Sequence, residues 1–460
     1  MPQGEKRMQI VTDAAASWAA TRPKIAGHFE QDAQAHSKFW RTGAEMLAAL
    51  PGKPARNPEQ VRTAETVLRA GRESREAFLK HHAGAIYAAL TNNRTVFVRA
   101  EPLAYEAAKL VPGLVPTRDE VAAESGLTQS AKDGVEIDQG IFFSNILAHA
   151  VSGAHLCHTM LLPKPESVAR LPELIARGAI DLGTASVERR GKASVVLMRN
   201  PRFLNAEDES TLQNVETAVD LALLDPQTEI AILRGGTVDN PKYAGRHVFC
   251  TGINLTQLYR GKISYLWYVT REMGFVNKFF RGLARGDADP DEMHGGTDEK
   301  PWVAGVEAFA IGGGCQYLLT MDYVVAANDA YMTLPARKEG IIPGAANMRM
   351  PRFTGDRIAR QAILSGRRLD CDTPEGRMIC DEIVAPGEMD AALDRVARDL
   401  TSSGVVSAAS NRRAFRVAEE PLDMFRRYMA VYAREQAYCH FSPALIANLE
   451  RYWGAQSRKV

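Results

Sequence analysis

The chain is poor in features that would commit it early to one class. Six cysteines, Cys157, Cys250, Cys315, Cys371, Cys380 and Cys439, are scattered over 460 residues. They are too few and too dispersed for a disulfide framework and read as free thiols buried like small hydrophobes. Neither sign of charge dominates: 56 Lys and Arg against 55 Asp and Glu leave a formal net charge of +1. That balance argues against a nucleic-acid or membrane-surface partner. No apolar run approaches the roughly 20 residues that cross a bilayer. Asp13 interrupts the alanines at 14–16 and 19–20 that would otherwise imitate a leader. The location expected from this is a reducing cytoplasm. Repeats and low-complexity tracts are missing too, and no metal site is expected. His155-Leu156-Cys157-His158 has no second cluster at ligand spacing, and His81-His82 reads as a helix surface.

What is present is a globular composition, 45% hydrophobic and 24% charged, long enough for two or three domains. Up to about residue 185 the pattern is helical. Phe39, Trp40, Gly43, Met46, Leu47 and Leu50 recur at helical spacing before Pro51-Gly52, and Val61, Ala64, Val67 and Leu68 begin a second stripe. Alanine- and leucine-rich segments at 101–110, 139–161 and 166–178 continue it. From residue 186 to about 400 short apolar strands alternate with helices, which indicates an α/β domain. A hairpin is expected over 187–198, a helix over 206–224, and strands at 229–233, 302–310, 323–326 and 331–334. Residues 285–300, polar and glycine-bearing, are expected to form an exposed insertion. Residues 401–460 are helical again, expected to cover a site or an oligomer interface.

Two glycine motifs carry the chemistry. Phe249-Cys250-Thr251-Gly252-Ile253-Asn254-Leu255 follows a strand-like stretch, and Ile311-Gly312-Gly313-Gly314-Cys315-Gln316 joins a strand to an apolar helix. Glycines at such junctions let backbone N–H groups approach a ligand oxygen, and the helix N-terminus adds its positive dipole end. Two such loops aimed at one point would make an oxyanion hole. Singly, each is as consistent with an ordinary structural turn. The second motif lacks the dinucleotide-binding spacing, and no phosphate-loop lysine-serine pair follows it. Cys315 has no histidine at a readable spacing, so it reads as close packing rather than as a nucleophile.

Together the segments from about Ser194 to Val384 resemble the crotonase superfamily of coenzyme A thioester enzymes. The match takes in Leu204-Asn205-Ala206, Thr251-Gly252-Ile253, the GGGCQ helix start and Met321-Asp322-Tyr323-Val324-Val325-Ala326-Ala327. It continues through Gly340-Ile341-Ile342-Pro343-Gly344 and Leu364-Ser365-Gly366-Arg367-Arg368-Leu369. The resemblance implies an α/β fold, a crotonase-like spiral of β-β-α turns, flanked here by a helical N-terminal domain and a helical C-terminal region. It implies trimers or hexamers, and the N–H groups of Ile253 and Gly313 as the oxyanion pair.

Departures from the family pattern narrow the reaction. Where hydratases of the superfamily carry two glutamates, this sequence has Gln316 and Ala336. Neither can move a proton or activate water, so hydration is not expected while enolate stabilisation survives. This double departure and the long helical N-terminal region resemble the metal- and flavin-free oxygenases of the superfamily, which act on arylacetyl-CoA in dihydroxyphenylglycine formation for glycopeptide antibiotics. The resemblance implies an arylacetyl-CoA substrate, dioxygen as co-substrate and no cofactor. It implies Glu207 and Arg271 near the substrate phenol groups, with Gly252 and Gly314 lining the substrate. It also implies Gln316 as a hydrogen-bonding orienter, and Leu255, Ala336 and Ile341 as walls of an oxygen pocket. The alternatives stay open: Glu207 as a helix cap, Arg271 as a surface ion-pair partner, and the three apolar residues as plain core. The group that removes the α-proton is not identified. Two other functions fit the same residues: a CoA thioester hydrolase, isomerase or lyase, and a catalytically silent CoA-binding scaffold. Oxygen uptake separates the first from the oxygenase, and turnover of any acyl-CoA excludes the second.

Overall fold

The computed structural model describes residues 14–290 and 296–458. Asp13 and the middle of the expected 285–300 insertion lie outside the described residues. The chain divides into two compact units that interleave in sequence.

The first unit takes the chain up to Leu156, with Tyr259–Leu266 and Met429–Ile446. Its helices include Phe29–Ala48, Pro58–Leu90, Ala100–Leu110 and Ile137–Ala148, where the apolar spacing placed them. The 33-residue helix Pro58–Leu90 starts where two signals coincide: Pro58 at its first position, and Asn57 and Gln60 in a reciprocal capping box. Its buried face carries Val67, Phe78, Leu79, Ile86 and Tyr87. His82 departs from the expected surface position: it is buried, with Nε2 2.8 Å from Asp32. His155 is buried as well and is bonded to the Tyr87 hydroxyl at 2.8 Å.

The second unit comprises Cys157–Leu258, Trp267–Tyr428 and the chain from Ala447. The helix Pro165–Arg177 therefore groups with the sheet-bearing unit rather than with residues 1–156. The reason is polar as well as apolar: Asp220, buried on the helix Glu209–Leu224, accepts from the Lys164 N–H and the Ser167 hydroxyl, each at 2.8 Å.

Among the described residues twelve strands build this unit. In chain order they are β1 (Ala179–Asp181), β2 (Ala185–Arg190), β3 (Ala193–Met198), β4 (Ile230–Gly235), β5 (Leu283–Ala284), β6 (Thr297–Asp298), β7 (Trp302–Val306), β8 (Phe309–Ile311), β9 (Tyr323–Ala327), β10 (Tyr331–Thr333), β11 (Leu369–Asp370) and β12 (Glu382–Val384). The main sheet runs β1-β2-β3-β4-β7-β9-β12. β1 to β3 form an antiparallel meander, and β3 to β12 are parallel. β4 and β7 are buried along their whole length, as expected of parallel strands covered on both faces.

A second sheet, β11-β10-β8, holds the site. The single strand expected over 302–310 is two strands in two sheets. The break lies at Glu307-Ala308, where Ala308 has φ +63°, and it turns the chain out of the main sheet. A single charged residue, Glu307, was too little to mark the turn because apolar residues continue on both sides of it: Phe309 and Ala308 are buried in a second small core with Val238 and Val248. The expected insertion opens and closes on the antiparallel pair β5-β6.

Candidate active site

Strand β8 is the element on which the site is assembled. On one side it pairs with β10, Ala310 opposite Met332. On the other it pairs with Cys250: the Cys250 N–H donates to the Phe309 carbonyl and the Ile311 N–H to the Cys250 carbonyl, at 3.3 and 2.9 Å. Both glycine motifs therefore run off the same short strand, side by side. Gly252, at φ +75°, lies so close that a β-carbon on it would stand 2.8 Å from the Gly313 nitrogen and 2.8 Å from the Ile311 carbonyl oxygen. Only glycine fits that conformation and that approach.

The N–H groups of the two loops differ in what they meet. That of Gly252 donates to the Cys250 thiol at 3.2 Å. Those of Ile253 and Gly313 have no hydrogen-bond partner among the described residues. Gly313 opens the helix Gly313–Leu318, so its N–H is one that the helix itself leaves unpaired. Cys250 and Cys315 are fully buried, and burial pushes both thiols up, Cys315 to about 12. A group so unwilling to ionise is packing, not a nucleophile.

A third segment locks onto the first loop. The Glu207 N–H donates to the Gly252 carbonyl at 2.8 Å and the Asn254 N–H to the Glu207 carbonyl at 2.7 Å, so Glu207 flanks Ile253. The helix cap considered for Glu207 belongs instead to Asp208, whose side chain accepts from the Ser210 N–H. Glu207 is left free to reach Arg271. The guanidinium Nε and Nη2 donate to its two carboxylate oxygens at 2.7 and 3.0 Å, and the Tyr317 hydroxyl donates to the same carboxylate. Arg271 is not the surface residue of the alternative reading: it is 3% exposed. It stands where the helix Tyr265–Arg271 passes into a π-helical turn over Glu272–Val276, with Gly274 off helical geometry. Such turns re-aim side chains within a helix. Its Nη1 donates to the Gln316 side-chain oxygen at 2.7 Å and also meets Glu272. Burial alone would lower the Arg271 pKa, but Glu207, then Tyr317 and Glu272, outweigh it and hold the group well above its usual value.

The structure thus brings together Glu207, Gly252, Ile253, Arg271, Gly313, Gly314 and Gln316. A β-carbon on Gly313 would lie 1.8 Å from a Glu207 carboxylate oxygen, so the ion pair presses directly on the helix start. Ala336 begins a short helix ending at Glu339, and its carbonyl accepts from the N–H groups of Gly340 and Ile341. Leu255 lines a cavity of about 490 Å³ with Ile253, Ile311, Arg202, Lys338 and Glu339. Tyr452, Trp453 and Arg458, from the end of the described chain, line it too.

Three residues here escaped the sequence: Glu272, Tyr317 and Glu339. Glu272 and Tyr317 directly follow Arg271 and Gln316, but neighbours in sequence share a site only where the helix locally widens or begins, and no motif announces that. Glu339 sits one residue before the Gly340-Ile341-Ile342-Pro343-Gly344 run. Its burial, at 8% exposure, is the decisive and illegible fact. Among the described residues no group of three or more His, Cys, Asp or Glu could hold a metal ion. No single described helix is long and apolar enough to cross a membrane.

The sequence profile of the enoyl-CoA hydratase/isomerase family matches residues 188–429, and the chain belongs to that family, the crotonase superfamily. It is 45% identical to the (3,5-dihydroxyphenyl)acetyl-CoA 1,2-dioxygenase of Amycolatopsis orientalis over 407 residues, 88% of this chain and 92% of that one. Identity to the short-chain-enoyl-CoA hydratase of Clostridium acetobutylicum is 25% over 237 residues, 51% of this chain and 82% of that one. Among solved structures, an enoyl-CoA hydratase/isomerase from Xanthobacter autotrophicus Py2 superposes with a TM-score of 0.48 at 22% identity, covering 60% of this chain and 96% of that one.

Proposed function

We propose that the chain is a dioxygenase that converts (3,5-dihydroxyphenyl)acetyl-CoA and dioxygen into (3,5-dihydroxyphenyl)glyoxylate and CoA. The observation that carries this reading is the 45% identity to the Amycolatopsis orientalis dioxygenase across nearly the whole of both chains. The similarity to hydratases, by contrast, stops at about half of this chain.

In this reading the α-carbon of the thioester loses a proton, and the charge moves to the thioester oxygen between the Ile253 and Gly313 amides. Each such donor is worth about 3–4 kcal/mol in a water-excluded site. The enolate, conjugated into an electron-rich ring, reduces dioxygen directly, and the new α-peroxide attacks the thioester carbonyl. CoA leaves as the thiolate and takes up a proton; the O–O bond then breaks as the second α-hydrogen departs as a proton, leaving the α-keto acid. No metal or flavin takes part. Glu207 and Arg271 accept from and donate to the ring hydroxyls, and Gln316, already held by Arg271, orients the peroxide. Gly252 and Gly314 line the thioester, and Leu255, Ala336 and Ile341 wall the oxygen. Arg202, Lys338 and Arg458 on the cavity supply the positive charge that the CoA phosphates need. The enzyme works as a homo-oligomer, a trimer or hexamer, in the cytoplasm of a cell that makes dihydroxyphenylglycine for a glycopeptide antibiotic.

The test is incubation of chelator-treated protein with (3,5-dihydroxyphenyl)acetyl-CoA under labelled dioxygen and under nitrogen. The reading requires both atoms of one dioxygen in the glyoxylate and no product without oxygen. CoA release without oxygen uptake would replace it with a hydrolase.

A further inference from the structure

We infer that Glu339 is the base that takes the α-proton of the thioester, an assignment that rests on the enolate reading above. Among the described residues that line the 490 Å³ cavity, Glu339 is the one carboxylate. It shares that lining with Ile253, whose N–H is unpaired, and with Ile311, which leads into the second glycine loop. Its carboxylate faces that loop directly: a β-carbon built on Gly312 would lie 3.7 Å from Glu339 Oε1. The acid is therefore one residue from the Gly313 amide, on the same cavity as the other half of the amide pair.

The other buried carboxylates of the site are spoken for. Glu207 takes two bonds from Arg271 and one from Tyr317, and Glu272 meets Arg271 and accepts from the Ala345 N–H at 3.2 Å. A carboxylate held by a guanidinium is a weak base. The Glu339 carboxylate has no hydrogen bond or ion pair among the described residues. Burial, with no opposing charge, lifts its pKa to about 7. That value suits a general base at neutral pH: ionised often enough, yet basic enough to bind the proton. The charged and titratable groups around it are Lys338 and Arg337 on its own turn, and Arg202, Tyr452 and Arg458 across the cavity.

The step balances within the protein and substrate. The α-C–H bond breaks, its electron pair passes to the thioester oxygen facing the Ile253 and Gly313 amides, and the proton moves to a Glu339 oxygen. When CoA leaves as a thiolate, Glu339 returns the proton to sulfur.

Exchange of the α-hydrogens of (3,5-dihydroxyphenyl)acetyl-CoA with D₂O, followed without oxygen, isolates this step. Wild-type protein is expected to catalyse exchange, with a rate that rises with pH to a plateau and a midpoint near 7. Glu339→Gln should slow exchange by about 100-fold or more while substrate affinity, read by calorimetry, changes only a few-fold. Glu339→Asp should be intermediate. Exchange at the wild-type rate in a folded Glu339→Gln protein would overturn the assignment. A flat wild-type exchange profile between pH 5 and 9 would do so even if that variant does not fold. The two readings fail separately: Glu339-dependent exchange without oxygen uptake would sink the dioxygenase alone, and full oxygen uptake by Glu339→Gln would sink the base alone.

Discussion

Gly252 and Gly313, 61 positions apart in the chain, approach until a single added methyl group would force them apart. Replacing Gly252 by alanine introduces two penalties at once, a side chain at φ +75° and a contact of 2.8 Å with the Gly313 nitrogen. Gly252→Ala should fold, because the cost of one left-handed non-glycine residue is about 1–3 kcal/mol. Its turnover should fall by about 100-fold or more as the amide pair is displaced. Oxygen uptake at saturating substrate, beside a thermal melt, checks both halves. Wild-type turnover would remove the amide pair from the chemistry.

The ion pair of Glu207 and Arg271 predicts an asymmetry. Arg271 is the cation between two buried carboxylates, Glu207 and Glu272. Removing Glu207 leaves a neutral Arg271–Glu272 pair; removing Arg271 leaves two acids facing each other in a dry site. Arg271→Met should therefore destabilise by about 3–5 kcal/mol, and Glu207→Gln by clearly less. Urea unfolding of both variants measures the difference. Equal losses would show that Glu272 does not share the cation.

A different cluster predicts how acid affects stability. Glu420 is buried among Arg349, Arg352 and Arg281, with contacts of 2.8–3.3 Å. Burial would raise its pKa, but Arg349 above all, then Arg281 and Arg352, bring it down to about 2. A carboxyl depressed in the folded state stabilises at pH above its unfolded value of about 4.3, and that stability is lost as pH falls from there toward 2. The contribution is about 3 kcal/mol. Glu420→Gln should be less stable at pH 7 and should lack this part of the acid limb, which denaturant melts from pH 7 to pH 3 would show.

Thiol chemistry gives a simpler check. All six cysteines are free, and Cys157, Cys250, Cys315, Cys371 and Cys380 are buried while Cys439 is partly exposed. At pH 8 an aromatic disulfide reagent should label native protein at Cys439 at most, leave activity unchanged, and label all six thiols in guanidinium. Rapid modification of Cys250 or Cys315 would contradict the packing role assigned to them.

Much of this molecule is legible in its sequence. The helical stripes of the first 180 residues, the hairpin over 187–198 and the strand before the second glycine loop follow from spacing, which is local; the stretch before the first loop is not a strand and pairs only at the isolated bridges of His247 and Cys250. The two glycine motifs pointed to one site because glycine is required wherever backbone must approach backbone. The split between β7 and β8 was not legible, since Trp302 to Ile311 is apolar apart from the single Glu307 and the turn at Ala308 uses a residue with no preference for positive φ. Glu272, Tyr317 and Glu339 were missed for a related reason. Their importance comes from burial and from one another, and neither is written in a residue's identity. The Glu207 cap went wrong by a single position, because Asp208 offers the same short-range chemistry and Glu207 has the reach for a more distant partner.

One consequence follows from the way both amide loops hang on β8. Their placement rests on main-chain bonds to a three-residue strand, so exchange of the side chains around them leaves it in place, and only a side chain added at a glycine of the loops themselves reaches it. Divergence on such a frame can change the side chains around the two loops while the backbone that carries them stays where the strand holds it.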